Sequence, residues 1–302
     1  MTTRTCIARI SGLALIVGLL GAMPAAADPF FFSTGNVTNS IAIASRPENA
    51  TFNKIEIESA DDFVLTGQTS ITRATFTGLL AGGATTANIG EVRVEIYRVF
   101  PVDSDVGRTS GPPTFSTPKV PTRVNSPSDV ELADRDTLPL PGNLTFTTSL
   151  LSANFTALNS VQPGGIHPLP GSTTLGNGPI TGQEIEFDLI FTTPFSLPPG
   201  HYFFVPQVDV AGAGNFLWLS GTRPIVPPGT PFPVGFTDLQ SWTRDANLDP
   251  DWLRVGTDIV GTGTFNAAFS LTGTTVPAPS TLLLLSIGLA GIGAYRSRRR
   301  KN

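Results

Sequence analysis

Cysteine is nearly absent from this chain. The single one, Cys6, falls inside the N-terminal leader described below, so the body carries none. That excludes a disulfide framework, a thiol nucleophile and a cysteine metal site. Cys6 also precedes the apolar stretch at 10–20, whereas a lipidated cysteine would follow it, so it is no lipoprotein anchor. Histidine is almost as scarce, with His167 and His201 the only two. Gly-x-Ser-x-Gly, His-Glu-x-x-His, Walker and Gly-x-Gly-x-x-Gly patterns are all missing, which removes the common hydrolase, metalloprotease and nucleotide-binding signatures. Charged residues make up only 14%, and no long stretch repeats its apolar residues with helical period.

Gly (31) and Pro (27) are abundant, and Phe reaches 20. Such a mixture favours short strands joined by tight turns. Charge is unevenly placed. The first 27 residues hold Arg4 and Arg9 and no acid; the last 27 hold Arg296, Arg298, Arg299, Arg300 and Lys301 and no acid. The body between them has 12 bases against 23 acids. An acidic body argues against nucleic-acid binding, which depends on neutralising phosphates.

Both ends read as processing signals and are set apart from the fold. After the two N-terminal arginines comes an apolar core, Ile10 to Leu20, and then Pro24-Ala25-Ala26-Ala27-Asp28. Small residues at Ala25 and Ala27 predict cleavage by signal peptidase before Asp28. The apolar run is too short for a full membrane span. At the other end, Val276-Pro277-Ala278-Pro279-Ser280 precedes an apolar segment, 281–295, and the basic cluster that includes Arg298, Arg299 and Arg300. A helix over 281–295 would be about 22 Å long, with Gly288, Gly291 and Gly293 on a small-residue face. The basic cluster is held in the cytoplasm by the positive-inside rule.

A Pro-x-Pro-Ser motif, a short Leu/Gly helix and a terminal arginine cluster, in that order, resemble the PEP-CTERM sorting signal. The resemblance covers about 26 residues, Val276 to Lys301. It implies processing by an exosortase, a membrane transpeptidase-like cysteine enzyme, near Pro277–Pro279. Ala278 stands where the family motif has glutamate, a carboxylate that the processing enzyme would use for recognition. The alternative is a permanent single-span anchor over 281–295.

Residues 28–275 read as one extracytoplasmic domain. Phe52–Ile57, Val92–Val99 and Glu184–Phe191 alternate apolar with polar residues, the pattern of half-buried strands. Further strands are expected at Phe63–Leu65, Ile71–Leu79, Leu144–Thr148, Tyr202–Val210, Phe216–Ser220 and Ala267–Thr272. Nine or ten strands with turns between them predict an all-β fold, an antiparallel β-sandwich of jelly-roll type, flanked by a signal helix and a C-terminal hydrophobic helix. Residues 101–142, with eight prolines, read as a surface excursion. Residues 159–182 and 222–235 read as Gly/Pro-rich loops.

Candidate chemistry is sparse. Asp245, Asn247, Asp249 and Asp251 place oxygen ligands at alternate positions, as a calcium loop begins. Pro250 and Gly256 stand where an EF-hand needs its glycine and its bidentate glutamate, so the candidate is a non-EF calcium loop against an ordinary Asx turn. Glu56, Glu58, Asp61, Asp62, Glu184, Glu186 and Asp188 are candidates for paired acids, with a solvated strand face the alternative for the last three. Trp242 and Trp252 flank the calcium-like loop and suggest a sugar-contacting rim, while Trp218 reads as core. His167 reads as a loop residue and His201 as a turn-to-strand polar residue. The expectation is a non-enzymatic exported protein of the surface or extracellular matrix, with no cofactor unless calcium. The alternative is a carbohydrate-binding module or polysaccharide-acting hydrolase held in the envelope. Signal peptidase, an exosortase-like enzyme and the membrane through 281–295 are the expected partners, with exopolysaccharide as a further candidate.

Overall fold

Alternation makes Ile89–Arg98 (β5) a strand with two different buried faces. Val92, Val94 and Ile96 enter the main apolar core, while Glu95 and Tyr97 are buried on the opposite side. The computed structural model describes residues 27–107, 124–166, 173–225, 237–261 and 263–276. Within them the chain is nearly all β. The other strands are Pro29–Ser33 (β1), Val37–Ala44 (β2), Ile57–Leu65 (β3), Thr69–Ala81 (β4), Ala133–Asp136 (β6), Leu144–Ala157 (β7), Ser160–Val161 (β8), Ile180–Leu197 (β9), Gly200–Val210 (β10), Asn215–Gly221 (β11), Trp242–Asp245 (β12), Leu253–Arg254 (β13) and Phe269–Thr275 (β14). Residues Pro29–Thr274 form one compact unit.

The strands divide into two sheets. One has the order β13-β12-β3-β10-β5-β6. The other runs β1-β14-β4-β11-β2-β8, with β9 paired along β4 and β7 paired along β9. Nearly all pairings are antiparallel. β2 and β8 run parallel. β8 follows β7 after only two residues, and a chain that has just paired with β9 can meet β2 only in that direction.

Phenylalanine fills the space between the sheets. Phe63 and Phe204 from one sheet pack with Phe32, Phe76, Phe187, Phe216, Trp218 and Phe269 from the other. Phe76 stacks on Phe187 at 4.7 Å and Phe204 on Phe269 at 5.0 Å, while Phe216 meets Phe76 edge-on at 5.6 Å. Each buried ring contributes about 1.5–3 kcal/mol, which explains how a cysteine-free body is stabilised. Gly78 on β4 makes the cluster fit, because a Cβ there would overlap the Phe216 ring and the Leu217 carbonyl.

The larger sheet also curls. Leu158 N–H donates to the Asn39 carbonyl and Ala42 N–H to the Asn159 carbonyl. The hydrogen-bonded path therefore runs β2-β11-β4-β9-β7 and returns to β2. Its concave side holds a smaller core of Ala42, Leu79, Ala81, Ala157, Leu217 and Leu219. Toward the other end of β7 the ring parts, and a cleft opens there.

Several sequence expectations change. The strand expected over Phe52–Ile57 does not form, and β3 begins only at Ile57. Asn49 caps a short 3-10 turn, Ala50–Phe52, by accepting from Thr51 N–H and Phe52 N–H, and Asn53 adopts a left-handed φ of 52°. The 101–142 excursion contains an edge strand, β6, paired with β5. Both terminal helices expected from sequence, 108–123 in that excursion, and the loop segments 167–172 and 226–236 lie outside the described residues. Among the described residues no helix is long and apolar enough to cross a membrane.

Candidate functional site

The cleft in the curled sheet has a volume of about 470 Å³. Thr75 and Thr77 on β4, Glu184 and Glu186 on β9 and Ser270 on β14 lie at its base; Phe31 on β1 and Leu151 on β7 line it from either side. Period-two geometry explains the base. Ile185, Phe187 and Leu189 turn into the main core, so Glu184 and Glu186 turn the other way, opposite Leu79 and Thr77 in the register. Thr75 Oγ1 lies 2.6 Å from Ser270 Oγ. Neither glutamate has a hydrogen-bond or ion-pair partner among the described residues. Burial pushes the Glu184 carboxyl up. No basic residue lines the cleft among the described residues. Phe31 is 70% exposed, a free aromatic face beside two carboxylates. Asp188, next along the same face, is engaged by Arg73 at 2.7 Å.

The smaller sheet buries a second set of charges on its outer face. Arg244 on β12 grips Glu58 on β3 through two donors, Nε to Oε2 and Nη2 to Oε1, and its Nη2 reaches Tyr97 Oη at 3.0 Å. Tyr97 donates to Glu58 Oε1 at 2.6 Å. Burial alone would push the Glu58 carboxyl up, but the Arg244 charge and these hydrogen bonds hold it below the usual range. Glu95 is pushed up to about 10, first by burial and then by the charges of Glu58, Glu131 and Glu56. Arg93 joins Glu91, Asp136, Glu95 and Glu56 at 2.9–3.7 Å. These paired and hydrogen-bonded charges tie β3, β5, β6 and β12 together.

Asp61 and Asp62 point to opposite faces of β3. Asp61 accepts from Ser241 Oγ at 2.8 Å and from Ala267 N–H. Asp62 Oδ2 lies 2.5 Å from His201 Nε2 and accepts from Leu239 N–H. Burial raises both carboxyls well above their usual range, helped at Asp61 by Asp62 and at Asp62 by Asp238. Burial lowers His201 to about 4. The pair thus holds a neutral imidazole against a buried carboxyl. His201 borders a shallow cavity of about 380 Å³ beside Arg98 and Tyr202.

Asp245 accepts from Asn247 N–H and Leu248 N–H at 3.0 Å, an Asx turn. Asp249 is exposed and pairs with Arg244 at 2.7 Å, Asn247 is exposed, and Asp251 is buried. No group of three or more His, Cys, Asp or Glu side chains is placed to hold a metal among the described residues. The tryptophan rim is corrected. Trp242 and Trp252 are only 2% and 1% exposed, with Trp252 Nε1 donating to the Ser128 carbonyl at 3.2 Å and Arg244 lying 4.4 Å above its ring. Trp218 is in the core as expected. Ala27 and Asp28 are exposed at the start of the described chain. Ala25, Pro277, Ala278, Pro279, Ser280, Arg298, Arg299, Arg300 and His167 lie outside the described residues.

Residues 275–300 match the family model of the PEP-CTERM protein-sorting motif. No curated protein and no solved structure matches the chain. The match identifies the tail as an exosortase-type sorting signal, and hence the chain as an exported protein, in agreement with the resemblance read from its sequence.

Proposed function

We propose that this exported protein is a non-enzymatic component of the outer surface or extracellular matrix. In this reading the leader is removed before Asp28 and the body is held for a time at the inner membrane, facing the periplasm. An exosortase-like enzyme then processes the tail near Pro277–Pro279. The sorting-motif match over 275–300 carries the reading. The acidic, cysteine-free body supports it, because nothing in that body needs a reducing compartment or a nucleic-acid partner. Deleting 276–302 tests it by cell fractionation. The full chain should be found at the outer surface or in the medium, and the truncated chain should stay in the periplasm. Equal distribution of the two would refute the role of the tail.

A second reading is favoured by the cleft with Glu184 and Glu186 at its base. There the body is a carbohydrate-binding module or a polysaccharide-acting hydrolase on the same exported scaffold. Release of reducing ends from polysaccharide separates a hydrolase from both a binding module and an inert structural body.

A further inference from the structure

We infer that the cleft of the curled sheet is a binding site for an uncharged polysaccharide segment. The inference rests on the carbohydrate-binding reading and not on the route of export. Four observations converge. The cleft is of ligand size, about 470 Å³. Its base is built from acceptors and hydroxyls, Glu184, Glu186, Thr75 and Thr77, and the two carboxylates have no protein partner among the described residues. Sugar hydroxyls are donors of the kind such acceptors lack. Phe31 and Leu151 supply apolar surface on either side, and 70% exposure of a phenylalanine at a cleft leaves a ring face open to the C–H face of a sugar.

Charge narrows the class. With two glutamates and no basic residue in the lining, a uronate or sulfated chain would meet like charge. Burial also raises the Glu184 carboxyl, which suits a site for hydroxyl donors better than one for cations.

Affinity electrophoresis of the full chain in mild detergent tests this, with dextran, laminarin, mannan and xylan as uncharged probes. Alginate serves as the acidic probe and glycol chitosan as the cationic one. At least one uncharged polymer should retard the protein and alginate should not. Glu186→Gln and Phe31→Ala should each weaken that retardation about tenfold or more. Phe31 is exposed, so its variant tests the site without risk to the fold. Asp188→Asn, outside the cleft, should leave retardation unchanged. Retardation by none of the uncharged polymers, by glycol chitosan alone, or equally in the wild type and both cleft variants would overturn the proposal. None of these results bears on whether the tail is processed, so the export reading stands or falls separately.

Discussion

Arg244 and Glu58 form an ion pair with each side chain only 6% exposed. The guanidinium is held on three sides, by the carboxylate in front, by the Trp252 ring at 4.4 Å and by the Tyr97 ring at 5.3 Å. Its remaining Nη1 spans the Pro250 and Asp129 carbonyls at 3.2 and 3.3 Å and the Asp249 carboxylate at 2.7 Å. One side chain thus ties β12, β3, β5 and two loops together. Breaking a buried pair leaves the other charge unpaired, at a cost of about 3–5 kcal/mol. Glu58→Gln and Arg244→Met should each lower stability by that order in urea titrations. Arg244→Lys should fare little better, because lysine has neither the fork nor the flat face. A loss below about 1 kcal/mol for Arg244→Met would show that the pair behaves as an exposed one.

Glu95 makes stability depend on pH in an unusual direction. Its carboxyl is pushed up to about 10 in the folded protein, chiefly by burial, against about 4.3 in an unfolded chain. Between those values the native state keeps a proton that the unfolded state releases, so Glu95 lowers stability as pH rises. Glu95→Gln keeps the shape without the charge. It should raise the thermal midpoint at pH 8–9 and change it little at pH 4. An equal shift at both pH values would contradict this assignment.

His201 acts at the acid end. Burial lowers it to about 4, against about 6.5 in an unfolded chain. The unfolded state therefore gains a proton first as pH falls, and stability drops between about 6.5 and 4. Histidine NMR should show His201 still neutral at pH 5.5, and its titration midpoint near 6.5 would refute the burial argument.

Gly78 tests the phenylalanine core. A methyl group there must displace Phe216 from its edge-on contact with Phe76. Gly78→Ala should cost about 1–3 kcal/mol through overpacking, measured by urea unfolding. A neutral or stabilising result would mean the sheets shift apart at little cost.

Calcium is expected to have no effect on the fold. The Asp245 carboxylate is occupied by two backbone N–H groups and Asp249 by Arg244. Thermal melts in EDTA and in millimolar calcium should coincide. A calcium-dependent rise of several degrees would restore the loop as a metal site.

Strands whose two faces differ were legible from sequence. Val92–Val99 and Glu184–Phe191 alternate because one side packs on phenylalanine and the other does not, and β5 and β9 form there. Phe52–Ile57 carried a similar pattern, yet local chemistry won: Asn49 and Asn53 make a cap and a left-handed turn before a strand can start. The pairing of Glu184 with Glu186 on one face followed from period two. The cleft around them did not, because its other walls come from strands far away in sequence, Phe31 on β1, Thr75 and Thr77 on β4, Leu151 on β7 and Ser270 on β14. The same limit applies to Trp242 and Trp252. Their place beside an acidic turn suggested a rim, but the Ser128 segment and Arg244 cover Trp252 and Arg254 lies over Trp242, and none of these contacts leaves a local trace in the sequence.

Intact mass of the protein isolated from its native host tests the central claim most directly. A mass spanning Asp28 to about Ser280, in an outer-membrane or medium fraction, is the predicted result: the tail has been recognised and removed despite Ala278. A mass spanning Asp28 to Asn302, confined to the inner membrane, would contradict the account and make the chain a permanently anchored periplasmic protein.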